Sequence, residues 1–281
     1  MTRTIGLIAG EGRLPVLVAR GMKRQGLDVA CVAFRGHADP ELAPLCDHWA
    51  EVSLYRPGGW IRRLRRWRAS EAVMVGRVAK ARMHDPLRFV RDLPDWRALR
   101  LWYRRLRHDR RDHAVLAAVA EELERGGVSL IDSTTHIPEH LAGEGVLGTS
   151  APTSGQRSDI ALGWPLLSEI AAMDVGQAMA VRGGDVIAVE AVEGTDAMIR
   201  RAGELCPARG WCLLKTAAEH HDRRADVPTI GVDSVLALAD AGCGCIAVGA
   251  GRVILLDRPA VIEACNRAGI ALVGVGDGPV A

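Results

Sequence analysis

Long apolar segments and a secretion signal are both missing from this sequence of 281 residues. Its apolar runs, such as VLAAVA and CIAVGAG, are far shorter than the ~18 residues that a membrane-spanning helix needs. The first residues, MTRTIGLIAGEGRLP, lead directly into a strand-like run and a glycine turn, with no signal-peptide pattern. We therefore expect a cytoplasmic protein.

Metal-binding and disulfide patterns of cysteine are missing too. The seven cysteines are scattered, and no Cys-x-x-Cys occurs. Cys243 and Cys245 are two positions apart, without a second Cys or His pair at zinc-finger spacing. We interpret the cysteines as small, buried apolar residues in a reducing cytosol.

Two enzyme signatures are absent as well. The turn GLIAGEGRLP follows the first predicted strand and opens a helix, but its glycines form no G-x-G-x-x-G. The second strand ends in VAFRG, without the acidic residue that holds a ribose, which counts against an NAD(P)-dependent oxidoreductase. No G-x-S-x-G occurs, which counts against a serine hydrolase. A phosphate contact through N–H groups at the helix start and a plain tight turn stay open as alternatives.

The composition is that of a globular α/β protein. Hydrophobic residues make up 48% of the chain and charged residues 25%, which is enough apolar material for a core. Strand-like runs alternate with helix-length segments, a pattern typical of an α/β fold with a parallel sheet. We predict an N-terminal Rossmann-like domain (1–137), a linker rich in Gly, Pro, Ser and Thr (138–158), and a C-terminal α/β domain (159–281). The second domain is predicted to open with a helix over 159–173.

Positive charge is concentrated in one region. Residues 56–110 contain 17 Lys/Arg and 5 Asp/Glu, a local charge of +12 in a chain whose net charge is +2. Aromatic residues recur there at helical spacing, in the two sets Trp60, Leu64, Trp67 and Trp96, Leu99, Tyr103, Leu106. These stripes can be core with the arginines as a solvated face, or a basic amphipathic surface for an anionic membrane or a nucleic acid.

Carboxylates gather in AVEAVEGTDAMIRRA, at a predicted strand-to-helix corner. Thr195 as an N-cap and Asp196 in the first helical turn are explained by capping and by the helix dipole. Glu190 is not explained in this way. Three carboxylates beside a helix start can also hold a metal–phosphate pair, because Mg²⁺ prefers oxygen ligands. The residues alone leave the two interpretations even.

The motifs GLIAGEGRLP, AVEAVEGTDAMIRRA, MDVGQ and ADVPTIG together resemble the LpxI-type UDP-2,3-diacylglucosamine pyrophosphatases of lipid A synthesis. The resemblance covers nearly the whole chain. It implies two α/β domains, the second catalytic, and hydrolysis of UDP-2,3-diacylglucosamine to UMP and 2,3-diacylglucosamine 1-phosphate (lipid X), with water attacking the α-phosphorus. It also implies a divalent metal such as Mg²⁺. Transient contact with the cytoplasmic face of the inner membrane, a homodimer and no nucleic-acid partner are further expectations.

The resemblance also assigns residues. Its essential aspartate maps onto Asp226, which is the expected catalytic residue. The metal candidates are Asp174, Glu190, Glu193 and Asp226. The expected substrate-binding residues are Gly10, Gly12, Leu14, Pro15, Gly76, Asp112, Gln177, Gly194, Thr195, Asp196, Lys215, Thr229, Ile230 and Gly231.

The chain departs from the family pattern at His113, Ala218, Glu219, His221 and Gly249. The last of these lies where the family has Glu-Ala-Gly and this chain has Gly-Ala-Gly. The departures fall around the expected substrate or metal contacts. They support an alternative, a non-catalytic or divergent member that binds a related nucleotide-sugar lipid.

Overall fold

The computed structural model describes residues 2–77, 93–101, 103, 112–218, 222–224 and 227–276. The chain divides into two compact units. Unit 1 contains residues 1–138 and 222–226, and unit 2 contains residues 139–221 and 227–281.

Unit 1 is built on a five-stranded sheet whose strand pairs are all parallel. The order of the strands across the sheet is β3-β2-β1-β4-β5. Burial explains the central strands, because every residue of β1 except its first is buried. The strands are β1 (Thr4–Ala9), β2 (Asp28–Phe34), β3 (His48–Val52), β4 (Glu71–Val75) and β5 (Ser129–Leu130).

The described helices of unit 1 begin and end as their sequences favour. Helix α1 (Leu14–Arg24) has Pro15 in its first turn and Lys23 and Arg24 in its last turn, where a basic side chain complements the helix dipole. The others are α2 (Pro57–Arg66), α3 (Trp96–Leu101) and α4 (Asp112–Arg125). A short 3₁₀ turn covers Ala43–Leu45.

The path of the chain through this sheet places the glycine turn. From β1 the chain moves to β2 and β3 on one side, then crosses to β4 on the other side of β1. In open α/β sheets, ligands bind outside the carboxyl ends of the strands where the strand order reverses. Gly10 and Gly76 follow the neighbouring strands β1 and β4 at this point.

Unit 2 contains a six-stranded sheet in the order β6-β13-β11-β9-β7-β8 and a separate parallel pair, β10-β12. Strands β9, β11 and β13 run parallel, and β7 is antiparallel to both of its neighbours. The strands are β6 (Gly145–Val146), β7 (Ala178–Arg182), β8 (Asp185–Val189), β9 (Trp211–Lys215), β10 (Thr229–Ile230), β11 (Cys243–Gly249), β12 (Ile254–Leu255) and β13 (Ala271–Val275). The described helices are α5 (Ser154–Ala172), α6 (Thr195–Leu205), α7 (Val232–Asp240) and α8 (Arg258–Ala268).

The predicted α/β class and the parallel sheet of the first half are confirmed. Strands β3, β6, β7 and β10 were not predicted. Helix α5 begins earlier than the predicted residue 159, because Thr153 and Gln156 form a reciprocal capping box. The segment 138–158, predicted as a linker, contains β6, which pairs with β13, and the first turn of α5.

Most cysteines belong to the cores of the two units. Six of the seven are buried and all seven are free thiols. Burial raises the pKa of Cys243 to about 12 and that of Cys265 to about 11, so both are neutral at physiological pH. The described part of the chain has no helix that is both long and apolar enough to cross a membrane.

Candidate functional site

The glycine turn of unit 1 is a close backbone crossing. A Cβ on Gly10 would lie 2.5 Å from the carbonyl oxygen of Arg77, and a Cβ on Gly76 would lie 2.7 Å from the carbonyl carbon of Gly10. Gly76 also has a φ of +98°, and Gly12 one of +100°. Glycine is therefore required here by both space and backbone conformation.

The side chains of Glu11 and His37 form a pair next to this crossing. The N–H of Glu11 donates to the carbonyl oxygen of Arg77 at 2.8 Å, and the reverse bond is 3.0 Å long. The carboxylate of Glu11 lies 2.8 Å from Nδ1 of His37. Neither Glu11 nor His37 was predicted from the sequence, although Glu11 stands between the two glycines of the turn.

In unit 2, one edge of the sheet brings several of the predicted residues together. Strands β8 and β9 both flank β7 in antiparallel pairing, so their carboxyl ends meet at the edge where β7 begins. Lys215 ends β9, Gln177 directly precedes β7, and Glu190 directly follows β8. Gly249 ends β11, which runs parallel to β9.

A single hydroxyl joins two charged groups at this edge. The Nζ of Lys215 donates to Oγ1 of Thr195 at 2.7 Å, and that hydroxyl donates to Oε1 of Glu190 at 2.7 Å. Lys215 is only 5% exposed, and burying an ammonium group is costly unless it is hydrogen-bonded. The arrangement fixes the direction of the Thr195 hydroxyl and places a buried positive charge beside the start of α6.

This geometry corrects the predicted role of Thr195. The N-cap of α6 is Gly194, with a φ of +80°, and Thr195 is the first helical residue. Its hydroxyl therefore serves Glu190 and Lys215 instead of capping the helix. Asp196 does lie in the first turn, as predicted.

Gly176 and Gln177, from the MDVGQ motif, pack against Glu190. A Cβ on Gly176 would lie 2.0 Å from the carbonyl oxygen of Glu190, so only glycine fits. The N–H of Glu190 donates to Ala178 at 2.9 Å, and the N–H of Gln177 points to Oε2 of Glu190 at 3.4 Å. The motif thus positions the carboxylate that Thr195 contacts.

The described metal candidates do not form a metal centre. Glu193 pairs with Arg201 at 2.8 Å, and Glu190 is engaged by Thr195. Asp174 lies in an exposed turn with a φ of +57°. Within the described ranges, no three His, Cys, Asp or Glu side chains are arranged to hold a metal ion. Asp226 lies outside these ranges.

The remaining predicted residues lie as follows. Leu14 and Pro15 begin α1 of unit 1. Thr229 and Ile230 form β10, and Gly231 is the N-cap of α7. Asp112 begins α4, but its side chain and that of His113 lie outside the described part, as do Glu219 and His221 entirely.

Comparison with known proteins assigns the chain to a family. The LpxI N-terminal domain matches residues 4–140, and the LpxI C-terminal domain matches residues 143–273. The chain belongs to the LpxI family. A curated LpxI relative is the UDP-2,3-diacylglucosamine pyrophosphatase LpxI of Caulobacter vibrioides (strain ATCC 19089 / CIP 103742 / CB 15). It is 33% identical over 283 residues, which cover 97% of this chain and 98% of the relative.

Within this LpxI chain, the departure at Gly249 has a structural counterpart. A Cβ on Gly249 would lie 2.4 Å from Oγ1 of the buried Thr216, which directly follows Lys215. A larger side chain at position 249 requires Thr216 to move. The glycine and its threonine neighbour are therefore matched to each other.

Proposed function

We propose that this chain is a pyrophosphatase of lipid A synthesis that hydrolyses UDP-2,3-diacylglucosamine. The products of the proposed reaction are UMP and 2,3-diacylglucosamine 1-phosphate. The observation that carries the proposal is the match of both LpxI domains along the chain, supported by the relative that bears this activity in its name.

The edge of the unit 2 sheet offers chemistry suited to a pyrophosphate. The ammonium group of Lys215 is a compact positive charge, held in place by Thr195. Helix α6 begins next to it, and the first N–H groups of a helix have no intrahelical acceptors. Such a helix start attracts phosphate oxygens. We assign Lys215 and the start of α6 to binding the phosphates and offsetting the charge of the leaving phosphate.

The bond changes of the proposed step are simple. A water oxygen attacks the α-phosphorus, and the bond from that phosphorus to the bridging oxygen breaks. The bridging oxygen leaves as part of 2,3-diacylglucosamine 1-phosphate. Asp226 is proposed to accept the proton of the attacking water, as a general base.

A requirement for a divalent metal, with Mg²⁺ expected, stays a prediction. The described carboxylates do not fit a metal centre of their own. Chelation with EDTA followed by readdition of single metals tests the requirement. Full activity after exhaustive chelation would exclude it.

Hydrolysis in ¹⁸O-labelled water tests both the reaction and the site of attack. Purified protein is incubated with UDP-2,3-diacylglucosamine, and the masses of the products are measured by mass spectrometry. Label in UMP is expected. Label in the sugar phosphate would place the attack on the β-phosphorus, and release of UDP would mean that a different bond is cleaved.

The variant Asp226→Asn tests the proposed base and separates the alternative function. It keeps the size of the side chain but removes most of its basicity, so turnover should fall by about 10²-fold or more while lipid binding persists. Near-normal turnover in this variant would refute the role of Asp226. Tight binding of the lipid by the unmodified protein, without turnover, would favour a non-catalytic member.

The cytoplasmic location and the homodimer also stay predictions. Cell fractionation tests the first. Light scattering on the purified protein tests the second.

A further inference from the structure

One face of unit 1 combines arginines with exposed apolar side chains, and we name it the α2–α3 face. It consists of the outer side of α2 and residues 93–101 and 103. Asp95 joins its two parts, because one carboxylate oxygen accepts from the N–H of Gly58 at 2.8 Å and the other from the N–H of Ala98 at 2.9 Å. The same carboxylate therefore serves the first turns of α2 and α3 and fixes one helix against the other.

Arginines from three helices line a cavity of about 540 Å³ on this face. The buried carboxylate of Glu122 pairs with Arg97 and with Arg125, and Glu121 also pairs with Arg125. These two carboxylates are thus already committed. The arginines are Arg62, Arg65, Arg66, Arg97 and Arg125.

Three of the four arginines of α2 have a charge that no described carboxylate compensates. Within the described ranges, no carboxylate forms an ion pair with Arg62, Arg65 or Arg66, and all three are exposed. Gathering like charges costs free energy. An arginine fork matches phosphate oxygens in a bidentate manner, so a phosphate-bearing surface is the complementary partner.

Apolar side chains of residues 93–101 and 103 stand in solvent. Trp96 is 79% exposed, Leu99 46%, Tyr103 66% and the preceding Leu93 59%. Trp96, Leu99 and Tyr103 follow helical spacing, with the arginine Arg97 turned to the cavity. Aromatic and leucine side chains beside basic residues are the composition of a segment that lies in a membrane interface.

We propose that the α2–α3 face docks onto an anionic phospholipid bilayer, with the arginines on the lipid phosphates and Leu93, Trp96 and Leu99 in the acyl boundary. Charge complementarity selects a phosphate-rich partner, and the leucines favour a bilayer over a nucleic acid, which would be contacted by stacking aromatics. All residues of this face belong to unit 1, so the proposal does not depend on the proposed reaction. A chain that binds vesicles but hydrolyses nothing would leave this proposal standing and refute the proposed reaction.

Flotation with vesicles tests the proposal on the full-length protein. The protein should float with vesicles that contain phosphatidylglycerol and stay behind with phosphatidylcholine vesicles. An arginine near an anionic surface contributes about fivefold to the partition coefficient, so the triple variant R62Q/R65Q/R66Q should bind roughly 100-fold more weakly. The double variant W96S/L99S should lose the part of the binding that survives high salt, since salt screens only the charges.

A charge-matched control uses three exposed arginines of unit 2. The variant R182Q/R200Q/R267Q removes the same charge and should bind anionic vesicles like the unmodified protein. Circular dichroism establishes that each variant is folded. Equal losses in both triple variants, or no flotation of the unmodified protein with anionic vesicles, would overturn the proposal. Displacement of the protein from the vesicles by an oligonucleotide that binds through the same three arginines would also overturn it. Binding of inorganic phosphate without any binding of vesicles would show that the face is only an anion site.

Discussion

The hydroxyl of Thr195 holds two charged side chains, and replacing it with valine tests the candidate site directly. Valine has nearly the shape of threonine, so packing is kept while both 2.7 Å hydrogen bonds are lost. A hydrogen bond to a charged group contributes about 1.5–3 kcal/mol. Glu190 is only partly buried, so water replaces part of its lost bond, and we expect Thr195→Val to destabilise unit 2 by about 2–4 kcal/mol.

The assay must report on unit 2 alone, because a chain of two units need not unfold in one step. Hydrogen exchange read by mass spectrometry on peptides that cover β9 and β11 meets this need. A loss of about 2–4 kcal/mol corresponds to exchange of those amides faster by roughly 30- to 900-fold, where they exchange by unfolding of the unit. Turnover should fall as well, since Lys215 loses the group that positions it.

Thr195→Ser is the matched control, because serine keeps the hydroxyl and loses only a methyl group. It should retain most of the protection and most of the turnover. Unchanged exchange in β9 of Thr195→Val would show that the hydroxyl does not stabilise the site. A serine variant as damaged as the valine variant would show that the methyl group matters, and not the two hydrogen bonds.

Two further changes have clear expected outcomes. Gly176→Ala places a Cβ 2.0 Å from the carbonyl oxygen of Glu190, so overpacking should lower the free energy of unfolding in urea by about 1–3 kcal/mol or more. Gly155→Ala is the control, because position 155 has open space around it, and it should be neutral or stabilising. Burial, helped by the charge of Arg3, lowers the pKa of His136 in the folded state. Folding therefore favours the neutral imidazole. The free energy of unfolding should be highest above the unfolded pKa of about 6.5 and should fall as the pH drops below that value. His136→Gln should weaken this fall, and an identical pH dependence in that variant would contradict the assignment.

Most buried strands could be predicted from the sequence, whereas a half-exposed edge strand could not. The central strand TIGLIA is almost wholly buried, so its apolar run is continuous. Strand β3 (HWAEV) lies at the edge of its sheet with only Val52 buried, and a strand of this kind leaves no clear apolar pattern. Strand β7 is buried, and its short apolar run, AMAV, does not by itself distinguish a strand from another buried segment.

The candidate site was partly visible for a related reason. Glu190 was marked by the sequence, because helix capping left it unexplained. Its partner through Thr195 is Lys215, which lies 20 positions beyond that threonine. Only the antiparallel placement of β7 between β8 and β9 brings the two ends together. Local spacing does not contain that information.

Two aromatic stripes with similar spacing end in opposite environments, and chain connectivity explains the difference. Helix α2 connects β3 to the parallel strand β4, and such a crossover must lie against the sheet. Trp60 and Leu64 are accordingly buried, with the ring of Trp60 centred 5.0 Å from that of Phe34. Of the alternatives left open by the sequence, the core role fits the first stripe and does not fit Trp96, Leu99 and Tyr103, which are exposed. Leu106 lies outside the described residues.

Helix α3 has no comparable constraint. It is six residues long, and its inner side is occupied by Leu101, which is buried. Turning Trp96 and Leu99 inward would therefore expose Leu101 and move Arg97 away from Glu122. Periodicity indicates which side chains share a helix face, but neighbouring elements decide what covers that face. On α3 the face that the described residues leave uncovered is apolar, and the proposed bilayer contact would cover it.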